Sequence, residues 1–202
     1  MTLEVRWLRS GGLPAAMIEW FSPFVDEFET REDTYLVVEH VHGLSVKIRG
    51  GERLDIKVAR GVHGVLDVPA RVPGRTRYWM KWSFPTPLVP GLDVKPRDWV
   101  SVRKHRRIGR FSVANGIAAA HGTRPAGDES ACAVEVTEVL TGEEPWWTLG
   151  FEAAGHSETL RGTLDSTAAL LFSNPLPDGV GLRMTDSISY SEWLNMPNRA
   201  RP

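Results

Sequence analysis

The chain has 202 residues, 42% hydrophobic and 24% charged, and its 24 Lys+Arg against 25 Asp+Glu leave a formal net charge of -1. This balance excludes a disordered, highly charged chain and gives no general attraction to nucleic acid or anionic lipid. The length suits one domain over residues 1–202 with a real core, so any anion site must come from local clustering of cations.

Most of the chain alternates with period two. Leu3-Glu4-Val5-Arg6-Trp7-Leu8 reads as a half-buried strand. Gly11-Gly12-Leu13-Pro14 breaks it, and Ala15 to Phe21 reads as a short helix with Pro14 at its start and Pro23 beyond its end. Strand signals follow at Thr34–Val38, Leu44–Arg49 and Arg53–Val58, the last two joined by a Gly50-Gly51-Glu52 hairpin turn. Arg77–Phe84 and Trp99–Arg106 read as further strands. Ala133–Leu140 and Trp146–Ala153 form a second hairpin through Thr141-Gly142-Glu143-Glu144. The Pro/Gly-rich stretches Val68–Gly74, Pro85–Pro96 and Gly122–Asp128 read as loops, the last exposed. From Glu158 to Phe172, Leu160, Leu164, Ala168 and Leu171 share one helical face. Val180–Met184 is strand-like, Ser187–Leu194 closes the folded core at about residue 194, and 195–202 form a loose tail. The expected class is mainly β, of α+β type: a closed or nearly closed antiparallel barrel with a few helices.

Alternation assigns faces to these strands. Glu4 and Arg6 lie opposite Leu3, Val5 and Trp7. Lys47 and Arg49 oppose Val46 and Ile48, and Asp55 and Lys57 oppose Leu54, Ile56 and Val58. Trp79 and Lys81 share a face, as do Glu135 and Thr137, and Gly150 and Glu152. Around Val102, either Lys104 and Arg106 or Arg103, His105 and Arg107 form the polar side, and alternation does not choose. A solvated sheet face accounts for such a pattern. The polar positions nevertheless lean to long basic residues. If the sheet closes, these charges face a lumen, where burying them without partners costs several kcal/mol each, and a bound polyanion would offset that cost.

Other chemistries have weaker signals. Cys132, the only cysteine, sits in the apolar run Ala131–Val134 and reads as a buried hydrophobe, and no internal disulfide or Cys-rich zinc site can form. His40 and His42 would share a strand face but lack a third ligand. The Arg103–Arg107 run reads as a phosphate-lining or solvated strand before a nucleic-acid contact. The tryptophans pack a barrel wall, and no dinucleotide fingerprint, P-loop or nucleophile elbow is present. The first residues have no apolar signal region and no stretch is long enough to span a membrane, so the expectation is a cytoplasmic protein with no membrane and no nucleic-acid partner.

The order of these motifs resembles the CYTH superfamily, the triphosphate tunnel metalloenzymes. The matching stretches are Leu3–Trp7, Lys47-Ile48-Arg49, Leu54–Lys57, Val102–Arg106, Val134-Glu135-Val136, Leu149–Glu152 and the closing Ser189–Leu194, spanning about residues 3–194. The resemblance implies an eight-stranded tunnel in which Arg6, Lys47, Arg49, Lys57, Lys81, Lys104 and Arg106 grip the phosphates of a small-molecule triphosphate. It implies Glu4, Glu135 and Glu152 as catalytic residues that hold Mg²⁺ or Mn²⁺. The implied reaction is hydrolysis of tripolyphosphate, thiamine triphosphate or a nucleoside triphosphate, with adenylyl cyclase activity a lesser branch. Thr2 stands where the family's first strand carries its first glutamate, and Arg6 where it carries a lysine. That departure supports a second reading, a non-catalytic binder of organic phosphates or polyphosphate on the same barrel. A third is an interaction protein with a wet charged face. The sequence leaves monomer and homodimer open.

Overall fold

In the computed structural model, residues 1–66, 68, 72–88, 99–114, 116–120 and 130–196 are described. The strands are β1 (Thr2–Ser10), β2 (Glu27–Leu36), β3 (Leu44–Arg49), β4 (Arg53–Leu66), β5 (Gly74–Pro85), β6 (Trp99–Ala114), β7 (Ile117–Ala120), β8 (Ser130–Thr141) and β9 (Glu144–Ala154). They form one sheet in the order β2-β3-β4-β5-β1-β9-β8-β6-β7, and β2 also pairs with β6. That last pairing closes eight strands into an antiparallel barrel, with β7 as a hairpin extension of β6. Closure leaves no free edge among the eight, which is how a long antiparallel sheet avoids edge pairing with other chains.

The strands run longer than alternation alone marks. β2 begins at Glu27 rather than Thr34, and β6 reaches Ala114. The reason is visible in Glu27-Phe28-Glu29-Thr30-Arg31-Glu32-Asp33: Phe28 is its only apolar residue, so there is little contrast to read, yet full pairing to Ile108–Val102 of β6 makes it a strand. The β3–β4 turn forms as expected over Gly50, Gly51 and Glu52, with Gly50 and Gly51 at φ 54° and 78°, left-handed values that disfavour side chains. Val180–Met184 is not a strand. Met184–Asp186 makes a single 3-10 turn instead, because the ring is already closed and offers this segment no partner. The loop expected at Gly122–Asp128 lies outside the described residues, as do parts of the two other Pro/Gly-rich stretches and tail residues 197–202.

The barrel is apolar outside on one flank and polar within. Helices α1 (Ala15–Phe21) and α2 (Leu160–Leu171) cover that flank, packing Met17, Phe21, Leu160, Leu164, Ala168 and Leu171 on Leu3, Val5, Trp7, Val134, Val136, Leu149 and Phe151. Each fully buried Leu or Phe contributes about 1.5–3 kcal/mol. Trp7 anchors this core through edge contacts to Phe151 and Phe172, and its Nε1–H donates to Pro73 O at 2.9 Å. Cys132 belongs to the same core, and burial pushes its thiol up to about 12, which leaves it inert. No helix among the described residues is long and apolar enough to cross a membrane.

A second, smaller apolar cluster fills one end of the barrel's interior. Leu8, Tyr35, Val102 and Val139 meet Ile188, Trp193 and Leu194 there. The helix α3 (Tyr190–Leu194) is started by a capping box: Ser189 Oγ accepts from Glu192 N–H, and the Glu192 carboxylate accepts from Ser189 N–H. Trp146 and Tyr190 pack edge-on against Trp193, so the segment seals this mouth.

Candidate functional site

Because Leu3, Val5 and Trp7 must meet the helices, Glu4 and Arg6 of β1 point the other way, into the lumen. The same alternation turns inward Asp33 and Tyr35 of β2, Lys47 and Arg49 of β3, Asp55 and Lys57 of β4, Arg77, Trp79 and Lys81 of β5, Glu135 of β8 and Glu152 of β9. On β6 the inward pair is Lys104 and Arg106, while Arg103 is exposed, which resolves the face that the sequence left open. All ten side chains expected at a phosphate and metal site line one cavity of about 200 Å³. Arg31, Tyr35, Ser45, Arg77 and Trp79 join them, with Ile188–Ser191 forming the closed end.

Each lumen cation is matched to a carboxylate in the wall. Asp33, fully buried, is the centre of one group: its Oδ2 accepts from Lys47 Nζ and Lys104 Nζ, both at 2.8 Å, and Arg31 Nε lies 3.0 Å from Oδ1. Lys104 Nζ also donates to Tyr35 OH at 2.5 Å and stands 4.0 Å over the Tyr190 ring, which stacks on Tyr35. Asp55 is the centre of a second group, with Arg49 at 2.6 Å, Lys81 at 3.5 Å and Ser83 Oγ donating to it. Glu135 is the third: Arg106 donates to it through Nε and Nη2, and Arg6 Nη1 lies at 2.6 Å. In the fourth, Lys57 Nζ bridges Glu4 and Glu152, which face each other across β1 and β9.

Arg6 is the most constrained of these cations. Its guanidinium lies over Gly150, where an added Cβ would stand 2.7 Å from Arg6 Cζ, so only glycine leaves it room. Thr148 Oγ1 accepts from its Nη1 at 2.9 Å, and the Tyr190 ring sits 4.9 Å from Cζ. Arg6 thus ties β1 to β8, β9 and the sealing segment.

Burial and pairing set the protonation states. Burial pulls Lys47 down to about 8 even though Asp33 opposes it, and burial followed by the charge of Lys47 pulls Lys104 well below the ordinary lysine range. Burial works to raise Asp33 and Glu135, but the cations around each outweigh it and hold both carboxyls below their ordinary range. Glu4 and Glu152 split. Burial, then the facing Glu152 charge, push Glu4 up, while Lys57 overcomes burial and holds Glu152 down to about 2. Arg106 and Arg6 stay fully charged.

Two carboxylates of the lumen converge on one point. Among the described residues, no group of three or more His, Cys, Asp or Glu side chains can hold an ion by itself. Glu4 and Glu152, however, converge on a single ammonium, and two carboxylates completed by waters and substrate phosphate oxygens are the donor set Mg²⁺ commonly takes. Glu135 is already engaged by two guanidiniums. Thr2 Oγ1 donates to Glu4 at 3.3 Å and adds no carboxylate.

Sequence reasoning missed Asp33, Glu29 and Arg31, which lay in the unassigned half of β2, and also Arg77 and Tyr190. Inward spacing by two along Glu27-Phe28-Glu29-Thr30-Arg31-Glu32-Asp33-Thr34-Tyr35 is the signal that would have found the first three. Arg77 reaches Glu192 of α3 at 2.8 Å, and Ser191 Oγ donates to His42 O at 2.7 Å, contacts made only by the tertiary fold. His40 and His42 sit in the β2–β3 turn, His40 at φ 61°, and not on a strand face.

With this geometry in hand, comparison with solved structures places the barrel among known ones. A conserved hypothetical protein of Pyrococcus furiosus is similar over 95% of this chain and 99% of its own, at TM-score 0.50 and 14% identity. The likeness is one of fold. HpAC1 from Hippeastrum, which has a dominant triphosphatase activity, is similar over 90% of this chain and 92% of its own, at TM-score 0.46 and 11% identity. A chain of the Schizosaccharomyces pombe Mediator head module is similar over 87% of this chain and 96% of its own, at TM-score 0.45 and 10% identity. No protein-family model matches the chain. No curated protein matches it.

Proposed function

We propose that the lumen binds a triphosphate-bearing small molecule and, with a divalent metal, hydrolyses it. One observation carries the reading. In a chain of net charge -1, Arg6, Arg31, Lys47, Arg49, Lys57, Arg77, Lys81, Lys104 and Arg106 line one cavity together with three glutamates, Glu4, Glu135 and Glu152. Even after Asp33 and Asp55 in the wall, Glu29 beside Arg31 and Arg106, and Glu192 beside Arg77 are counted, the cations outnumber the carboxylates, which a polyanion would neutralise.

Phosphoryl transfer asks a protein chiefly for positioning and charge stabilisation. In this reading Arg49, Lys81, Lys47 and Lys57 grip and orient phosphate oxygens, and the sealed end at Tyr190 limits how deep the chain enters and excludes bulk water. Glu4 and Glu152 would hold Mg²⁺ or Mn²⁺, which when bound supplies charge neutralisation on the phosphate oxygens. A second reading, binding without turnover, is favoured by Thr2 in place of a carboxylate and by the double engagement of Glu135. Phosphate release from tripolyphosphate, thiamine triphosphate and nucleoside triphosphates, with Mg²⁺ or Mn²⁺ and with chelator, separates the two. Metal-dependent release supports the hydrolase. A rise in melting temperature with tripolyphosphate but no release supports the binder, and the absence of both release and shift would remove the triphosphate reading.

The grip should weaken with alkali. Lys47 is charged below about 8 and loses its proton as pH rises through that value. Tripolyphosphate affinity, measured by calorimetry with chelator present, is expected to fall by up to about tenfold between pH 7 and 9, with proton uptake on binding near pH 8. A flat profile across that window would remove Lys47 from the phosphate grip.

A further inference from the structure

The fourth wall group differs from the other three. Asp33, Asp55 and Glu135 are each single carboxylates shared by two or more cations. At Glu4 and Glu152 the count is reversed, with two carboxylates from neighbouring strands sharing one ammonium. Without a cation between them, two buried facing carboxylates repel, so either a cation or a proton must stand between them for the pair to persist. Lysine suits an exchangeable tenant. Its charge is compact, it sits on a flexible four-carbon stem, and it can change partners without moving the backbone. Lys57 also lines the cavity itself, within the same basic wall as Arg49 and Lys81.

We infer that Lys57 is an exchangeable internal cation that keeps Glu4 and Glu152 closed to a divalent metal until an anion draws its ammonium away. The inference rests on the triphosphate reading above. When a phosphate enters, Lys57 transfers its hydrogen bonds from the carboxylates to phosphate oxygens, and the vacated pair accepts the metal. Charge balances on both sides of the exchange. Anion and metal then bind with positive coupling, and because such coupling is reciprocal, the metal also tightens the anion. Metal alone therefore binds the lumen more weakly than metal in the presence of the anion. Lys57 is a positioning residue here, acting on the metal through Glu4 and Glu152.

The test reads metal binding and not turnover. The full chain is freed of metal, and Mn²⁺ binding is followed by the electron paramagnetic resonance signal of the free ion, with no phosphate present. Lys57→Gln is expected to bind Mn²⁺ at least about tenfold more tightly than the wild type, since it removes a unit charge a few ångströms away. Adding Glu152→Gln to that variant should abolish the gain, which places the ion between the two carboxylates. A second measurement needs no variant: on the wild type, inorganic sulfate in place of chloride at equal ionic strength should tighten Mn²⁺ severalfold by engaging Lys57. Equal Mn²⁺ affinity in Lys57→Gln and wild type, or no effect of sulfate should the variant fail to fold, would overturn the exchange. A separate arm measures the melting temperature of the wild type with tripolyphosphate and chelator. Loss of that shift fails the triphosphate reading itself, whereas a normal shift with no Mn²⁺ gain fails the Lys57 exchange alone.

Discussion

Asp33→Asn should lower the unfolding free energy at pH 7 by about 3–5 kcal/mol, the cost of removing one partner from a buried charge group. Asp33 is fully buried and balances Lys47, Lys104 and Arg31 at once. The amide keeps the shape and some hydrogen bonds but not the charge, so Lys47 and Lys104 remain inside the barrel without their counter-ion, while Arg31 keeps Glu29. In a chain of this size the loss corresponds to a melting-temperature drop of roughly 10 °C, followed by tryptophan fluorescence. The pH dependence has a definite sign. Lys47 and Lys104 are held below the ordinary lysine range, so the folded chain releases their protons while the unfolded chain still holds them. In the variant the amines lack the Asp33 charge that helps hold their protons, so they discharge at lower pH than in the wild type, and the gap narrows as pH rises toward about 8, where wild-type Lys47 loses its own proton. On the acid side, the wild type's Asp33 contribution is present above the ordinary aspartate range and lost below it as the carboxylate protonates, which closes the gap there too. A variant within about 1 kcal/mol of wild type at pH 7 would contradict this account of the lumen.

Arg49→Ala should weaken tripolyphosphate by about 30-fold or more while leaving the fold intact. Arg49 is partly exposed in the lumen wall, where its fork can engage phosphate oxygens, and loss of one partner of such a charge-assisted contact costs about 2–5 kcal/mol. The fold survives because Asp55 keeps Lys81 and the Ser83 hydroxyl. Arg49→Lys should recover only part of the affinity, since a point charge replaces a planar fork. Calorimetry in chelator gives the affinity and a thermal melt the stability. Unchanged affinity with an unchanged melt would take Arg49 out of the phosphate grip.

These expectations draw unequally on sequence and structure. Where a strand has one apolar and one polar face, as in Leu3–Leu8, Leu44–Arg49 or Arg53–Val58, alternation alone places every side chain on its correct face, and all ten expected site residues line one cavity. The amphipathic helix from Leu160 to Leu171 is legible for the same reason. Alternation says nothing about which face is inside. An ordinary open sheet would wet Lys47, Lys57 and Glu135. Only the β2–β6 pairing, together with α1 and α2 on the outer face, turns those charges inward. The first half of β2 escaped because its outward face, Phe28, Thr30 and Glu32, carries a single apolar residue, so the inward set ending in Asp33 is legible only by counting back in twos from Tyr35 once the strand is known to extend that far. The same limit applies to β6, where both faces of Arg103–Arg107 are basic and pairing with β2 and β8 decided that Lys104 and Arg106 point inward.

The ion pairing was beyond the sequence altogether. Glu4 with Lys57, Glu135 with Arg106 and Arg77 with Glu192 join residues 53, 29 and 115 positions apart. Local propensity and period marked most of the lumen charges. Their partners were decided by barrel register, because a salt bridge depends on where two strands meet and not on what either strand is.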